Sequence, residues 1–210
     1  IRINGKELVD LGVTINSPTI ASEYKANTAA GFSIVTFTNA AQVDTIAHGL
    51  NSAPSLLLIK DMNADDAGEW SVYHSELGND HAMYLHNSNA KFSTSRFDNT
   101  SPTSSVFTLR NSSRTGAYTA YCWSEVPGHS KFGTWTGNGN NSQFIWMGFK
   151  PRMVMIKATN YGGFWIIVDT ARNPFNKASE ILHPDLPNST LENSYTGFDV
   201  VSNGIVLKPD

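Results

Sequence analysis

The stretch Gly49-Leu50-Asn51-Ser52-Ala53-Pro54-Ser55-Leu56-Leu57-Leu58-Ile59-Lys60 returns later in the chain as Gly148-Phe149-Lys150-Pro151-Arg152-Met153-Val154-Met155-Ile156-Lys157. Both copies run from a Gly–apolar pair to a proline just ahead of an apolar run that ends in lysine. A proline at the head of a strand costs no ladder bond, because the N–H it lacks is not needed there. A tryptophan strand follows each copy, Trp70-Ser71-Val72-Tyr73 in the first and Trp165-Ile166-Ile167-Val168 in the second. Upstream, Phe32–Thr38 corresponds to Phe132–Thr136; downstream, Val106-Phe107-Thr108-Leu109 corresponds to Ile205-Val206-Leu207. Ordered matches of this kind are the signature of an internal repeat.

The same two-residue period governs the rest of the chain. Short apolar or alternating runs at 32–38, 55–60, 70–74, 105–109, 118–123, 143–147, 153–157, 164–169 and 204–207 are bounded by Gly, Asn, Asp, Ser or Pro. That pattern predicts strands joined by turns. The spacing between them is too short for repeated βαβ crossovers. The expected class is therefore all-β, an antiparallel β-sandwich or jelly-roll-like fold of two repeated units with minimal helix. One or two helical turns are expected at 173–182, with Pro174 suited to a first helical position. The units are placed at 30–127 and 128–210, after an N-terminal arm at 1–29. Unit one closes with the alternating run Gly116 to Glu125, and its counterpart would fall after Asp210. This missing last strand, with the absent initiator methionine, suggests a piece of a longer polypeptide.

Composition narrows the function. Asn 20, Ser 22 and Thr 18 occupy the surface that charged residues, only 16% of the chain, would otherwise fill. A net charge of −3 lacks the basic footprint that a nucleic-acid backbone demands. The longest apolar runs, Leu56 to Ile59 and Phe164 to Val168, fall far short of the roughly 20 residues that cross a bilayer. Neither nucleic acid nor membrane insertion is expected.

Chemical motifs are few. His74, His81 and His86 with Asp80 do not make a zinc pattern, and the single cysteine supports neither a thiolate cluster nor a disulfide. Asp61, Asp65, Asp66 and Glu69 lack calcium-loop spacing and read as a hairpin tip. The carboxylates Asp98, Asp169, Glu180, Asp185 and Glu192 offer no pair that sequence alone could set across a glycosidic bond. Asp169 with Arg172 reads as an ion pair or turn cap. Cys122 sits in an alternating apolar strand and reads as an inert, buried thiol. Trp70, Trp165 and Trp135 are assigned to the core. The sequons at Asn99, Asn111, Asn140 and Asn188 are as many as chance yields in so Asn-, Ser- and Thr-rich a chain. No catalytic residue, metal ligand or cofactor is expected. What remains is sugar recognition, in which aromatic faces stack on C–H surfaces and amides take the hydroxyls. The candidate ligand residues are His81, Tyr84, His86, Asn138, Asn140 and Asn141.

Several stretches together resemble a β-rich domain family of tailed, mostly marine, bacteriophages. They are Ala26 to Thr38, Ala47-His48-Gly49-Leu50, Trp70-Ser71-Val72-Tyr73-His74, Ser101 to Phe107 and Ala120-Tyr121-Cys122-Trp123-Ser124-Glu125. Ser130-Lys131-Phe132-Gly133, Gly148-Phe149-Lys150-Pro151 and Asp169-Thr170-Ala171-Arg172 continue the likeness. The resemblance runs from about Pro18 to Leu207 and implies a virion component with no assigned activity. The expected role is a non-enzymatic structural or adhesive domain of a tail fibre, exposed to the extracellular medium. Its partners would be other tail proteins and a host-surface glycan, and its assembly a homo-oligomer, with a trimer favoured. The rivals are a tailspike-like glycan-degrading enzyme and a purely architectural adaptor or capsid decoration protein.

Overall fold

The computed structural model describes residues 2–3, 6–7, 17–40, 42–62, 69–110, 115–139, 142–187, 191–192 and 197–208. The protein is all-β and built from antiparallel sheets, and the only helix among the described residues is one 3-10 turn, Ser75–Leu77. Two short strands, β1 (Arg2–Ile3) and β2 (Lys6–Glu7), pair with each other near the N-terminus. The first half then supplies β3 (Ser22–Asn27), β4 (Phe32–Ala40), β5 (Val43–Ala47), β6 (Leu56–Asp61), β7 (Trp70–His74), β8 (His81–Tyr84), β9 (Phe92–Ser93), β10 (Val106–Arg110) and β11 (Thr115–Trp123). Seven of them form one sheet in the order β3-β4-β11-β6-β7-β8-β9, and β5 pairs with β10. Ser22–Asn27, which the sequence suggested was part of an arm, is thus the sheet's first strand.

Alternation explains how these strands pack. On β4, Ser33, Val35, Phe37 and Asn39 point inward; on β11, Gly116, Tyr118, Ala120 and Cys122 do. Side chains two apart share a face, so both strands present one apolar side to the β5–β10 pair. Ile46, Phe107 and Leu109 on that pair close the first core, together with Leu57, Ile59 and Tyr73. This is a β-sandwich. Its centre is β11, paired along its whole length with β4 and from Tyr118 to Trp123 with β6.

The second half contains β12 (Gln143–Trp146), β13 (Met153–Ile156), β14 (Ile166–Asp169), β15 (Glu180–Ile181), β16 (Leu191–Glu192), β17 (Gly197–Val201) and β18 (Gly204–Lys208). The sheet β12-β18-β17 and the pair β13–β14 enclose Val154, Val168, Ile181, Phe198, Val200 and Ile205. The repeat is visible in the ladders. Lys60 faces Trp70 across β6–β7; in the second copy the ladder ends one position earlier, at Ile156 facing Ile166, so Lys157 and Trp165 lie just beyond it. Likewise β5–β10 is matched by β12–β18. Gly49 and Gly148, which follow β5 and β12, hold φ of +72° and +82°, where a residue with a Cβ is strained.

Three expectations fail. Residues 173–182 form a bend followed by bridges at Ala178 and Leu182 and the short strand β15 rather than a helix, because Asn173 takes over the local backbone hydrogen bonds. Residues 132–136 make no ladder, although their counterpart in β4 is a full strand. In the first half that strand is held by β11, and the described residues of the second half contain no strand in β11's place. Trp135, in this unpaired run, is therefore 37% exposed rather than core.

The two halves are joined on the outer face of the large sheet. There Val72 and Met83, with Leu56 and Leu58 beside them, pack against Trp165 and Met155. Trp165 is 4% exposed, and its indole N–H donates to the Tyr84 carbonyl at 2.8 Å. The Ser88 carbonyl accepts from the Gly163 N–H (2.8 Å) and from Lys157 Nζ (3.2 Å), and the Lys91 N–H donates to the Thr159 carbonyl (3.0 Å). Trp70, at the equivalent repeat position, stays within its own half. It is half-buried, stacked on Tyr121 at 6.0 Å, with Lys60 Nζ 5.5 Å from its ring. The two tryptophans therefore predict unequal losses. Trp165→Ala should cost about 3–5 kcal/mol of unfolding free energy, and Trp70→Ala about 1–2 kcal/mol. Urea denaturation of both variants measures the difference, and equal losses would show that Trp165 does not lock the halves.

Candidate functional site

The histidine and tyrosine candidates sit on β8 and the turn after it, but they do not converge. Neighbouring residues of a strand alternate faces, so His81 and Tyr84, three apart, leave β8 on opposite sides. His81 Nδ1 lies 2.8 Å from Asp80, and that hydrogen bond holds the Asp80 carboxyl below its usual range. The Tyr84 ring lies 4.7 Å from Phe92 and 5.0 Å from His86. Burial, reinforced by the nearby Glu69 charge, raises the Tyr84 phenol. His86 Nδ1 accepts the Trp70 N–H at 3.1 Å, so this ring is bound to the neighbouring strand. Asn138 stands in the exposed run 131–138 before β12, in the other half of the chain; Asn140 and Asn141 lie outside the described residues.

Of the carboxylates weighed from the sequence, Asp98, Asp169 and Asp185 have structural partners. Asp98 takes Arg110 (Nε to Oδ1, 3.0 Å), and Asp185 accepts the Trp165 N–H at 3.3 Å. Asp169 caps its turn, accepting the N–H groups of Ala171 and Arg172 at 3.0 and 2.9 Å while Oδ2 takes Arg172 Nε at 2.8 Å. The Arg172 backbone and guanidinium bonds hold the Asp169 carboxyl below its usual range. Burial pushes the Cys122 thiol far up, as an inert core thiol requires. Asp61 accepts the Tyr118 hydroxyl at 3.1 Å, while Asp65 and Asp66 lie outside the described residues. Among the described residues no three His, Cys, Asp or Glu side chains are placed to share a metal ion.

What the surface does offer lies in the second half. Phe144 and Trp146 alternate on the outer face of β12, 48% and 60% exposed, while Ile145 between them enters the core. A Cβ on Gly204 would meet the Ile145 carbonyl first and then the Phe144 ring at 3.2 Å; one on Gly148, in the loop after β12, would meet the Trp146 indole at 3.1 Å. The two exposed rings thus form an aromatic step on the same face of an edge strand. Nearby in the chain, Lys150, Pro151 and Arg152 line a cavity of about 470 Å³ with Thr170, Asn173 and Phe175, within the usual ligand-pocket range. Phe175 is 82% exposed, the most open large apolar side chain described. A second concavity, about 640 Å³ and more open, lies over β3, β4 and β11, between Glu23, Phe37 and Met62.

Neither the aromatic step nor the cavity was marked by sequence, since each is assembled from residues that look ordinary in order. One signal was present: Lys150-Pro151-Arg152 stands where the first copy has Ala53-Pro54-Ser55.

His48 shows how a buried histidine serves the scaffold instead. Its Nδ1 accepts the Leu50 N–H (3.2 Å), which leaves Nε2–H to donate to the Thr103 carbonyl (3.1 Å). Burial lowers its pKa below the ordinary value, against the opposing pull of that carbonyl. The unfolded chain therefore takes up the proton first. Stability from the neutral ring is full above about pH 6.5 and is lost as pH falls from there through the lower folded value. His74, also lowered by burial, adds in the same direction. The urea midpoint should fall between about pH 7.5 and about pH 5, and less steeply in His48→Gln. An unchanged slope in that variant would contradict the assignment.

The chain belongs to the family described as Domain of unknown function (DUF7483), whose model matches residues 10–210. No curated protein and no solved structure matches it.

Proposed function

We propose that this member of the DUF7483 family is a non-enzymatic recognition domain of a bacteriophage tail fibre, which holds a host-surface glycan on the aromatic face of its second half. The observation that carries the reading is the Phe144–Trp146 step on β12. Water does not favour two large rings side by side on an open strand, and an exposed apolar patch in a neutral polar surface marks a contact site. Sugars fit such a step because their C–H faces stack on rings while hydroxyls find amides nearby. The chain is rich in Asn, Ser and Thr, whose side chains carry such amides and hydroxyls.

Placement at the tail follows from the sequence resemblance, and with it a homotrimer and other tail proteins as partners. Binding is favoured over hydrolysis because Asp98, Asp169 and Asp185 are each tied to a structural donor. A general acid has to be open to its substrate.

The test is adhesion of the purified domain to host cells. Phe144→Ala combined with Trp146→Ala removes two stacking contacts of about 0.5–1.5 kcal/mol each, which predicts a loss of affinity of about 5- to 150-fold. Both side chains are exposed, so the urea midpoint should stay put. Release of reducing ends from host polysaccharide would replace this reading with the enzymatic one. Retention in the particle without adhesion to cells would replace it with the architectural one.

A further inference from the structure

The cavity beside Pro151 differs from the rest of the surface in its charge. It is lined by Lys150 and Arg152 with no carboxylate among its lining residues, in a chain whose net charge is −3. Neither cation makes an ion pair among the described residues, and both are exposed. The repeat supplies an internal control. Pro54 and Pro151 are both buried at the head of equivalent strands, but their neighbours in the first copy are the uncharged Ala53 and Ser55. The turn therefore forms without cations, and the two charges of the second copy are additions to it.

Phe175 also lines the site. It is held out of the core by a loop pinned on both sides. Asn173 Oδ1 accepts the N–H groups of Ser179 (2.9 Å) and Glu180 (2.8 Å), while its Nδ2 donates to the Asp169 and Glu180 carbonyls (3.2 and 3.0 Å). Asn176 Nδ2 donates to the Val200 carbonyl (3.1 Å) and its Oδ1 accepts the Val200 N–H (2.9 Å). An exposed ring on a fixed loop loses little freedom when a ligand lies on it. We infer that this cavity binds an acidic sugar residue of a glycan, with a uronate carboxylate taken by Lys150 and Arg152 and the sugar's C–H face on Phe175. A planar carboxylate matches the guanidinium fork, and a neutral sugar leaves both cations unused.

The assignment rests on the glycan-binding reading above and narrows it to anionic sugars, so its test separates the two. Titration calorimetry at about 0.15 M ionic strength compares trigalacturonate with a neutral trisaccharide. The wild-type domain should bind trigalacturonate in preference, and the double variant Lys150→Gln, Arg152→Gln should lose about tenfold or more of that affinity. Phe175→Ala should weaken it too, while Lys25→Gln, an exposed cation on β3, should leave it unchanged. Equal binding of the two trisaccharides, or an undiminished double variant, overturns the acidic-sugar assignment and leaves glycan adhesion standing. An equal loss from Lys25→Gln overturns it as well, since bulk charge would then explain the attraction. If neither trisaccharide binds, the assignment falls, and adhesion to host cells decides the broader reading on its own.

Discussion

The indole of Trp165 is the contact through which the two halves become one body. β6 is apolar on consecutive residues, Leu56 to Ile59, so one of its faces remains to be covered once the first core has taken Leu57 and Ile59. Strands buried on both sides read as continuous apolar runs, and Trp165 with Met155 provides the second cover. The indole N–H meets the Tyr84 carbonyl, and the ring's backbone is anchored in its own half by Asp185 and by His183, 2.7 Å from the Trp165 carbonyl. Large rigid area and satisfied polar ends make such a residue a strong joint. The bonds around Ser88, Lys91, Thr159 and Gly163 then fix the angle between the halves.

Seen from that joint, the repeat divides the work. Both copies keep the Gly turn, the buried proline at the strand head and the antiparallel pairing of that strand with the next one. Those features belong to the scaffold. The copies diverge where the scaffold is indifferent: Trp70 stacks inside its own unit and Trp165 crosses to the other, while Ala53 and Ser55 are replaced by Lys150 and Arg152. The first half is the larger and better closed, with β11 bonded on both sides. The second carries most of the exposed rings and the charged cavity.

Strands built on strong alternation or continuous apolar runs were legible in the sequence, and β4, β6, β7, β10, β11, β12, β13, β14 and β18 all lie where the pattern placed them. β3 was not, because Ser22–Asn27 is polar and mostly solvent-facing, and only its pairing with β4 makes it a strand. Trp135 misled because matching a core phenylalanine says nothing of whether a neighbouring strand is there to bury it. Residues 173–182 misled because Pro174 suits a helix start, yet the Asn173 amide competes for the same backbone groups. His81 and Tyr84 are close in sequence but split by the strand's own pleat, and His86 lies in the turn beyond it. The cavity gathers residues 150–152, 170, 173–176 and 200, a grouping that only the folded chain creates.

Native-state hydrogen exchange tests the single-body account most directly. If the Trp165 joint makes the halves cooperative, amides of β6 and β7 and amides of β13 and β14 open with the same free energy, and that value falls together throughout the chain when the joint is weakened by denaturant. If the second half instead opens at a distinctly lower free energy while β6 and β7 stay protected, the halves are independent and the account of one rigid scaffold is contradicted.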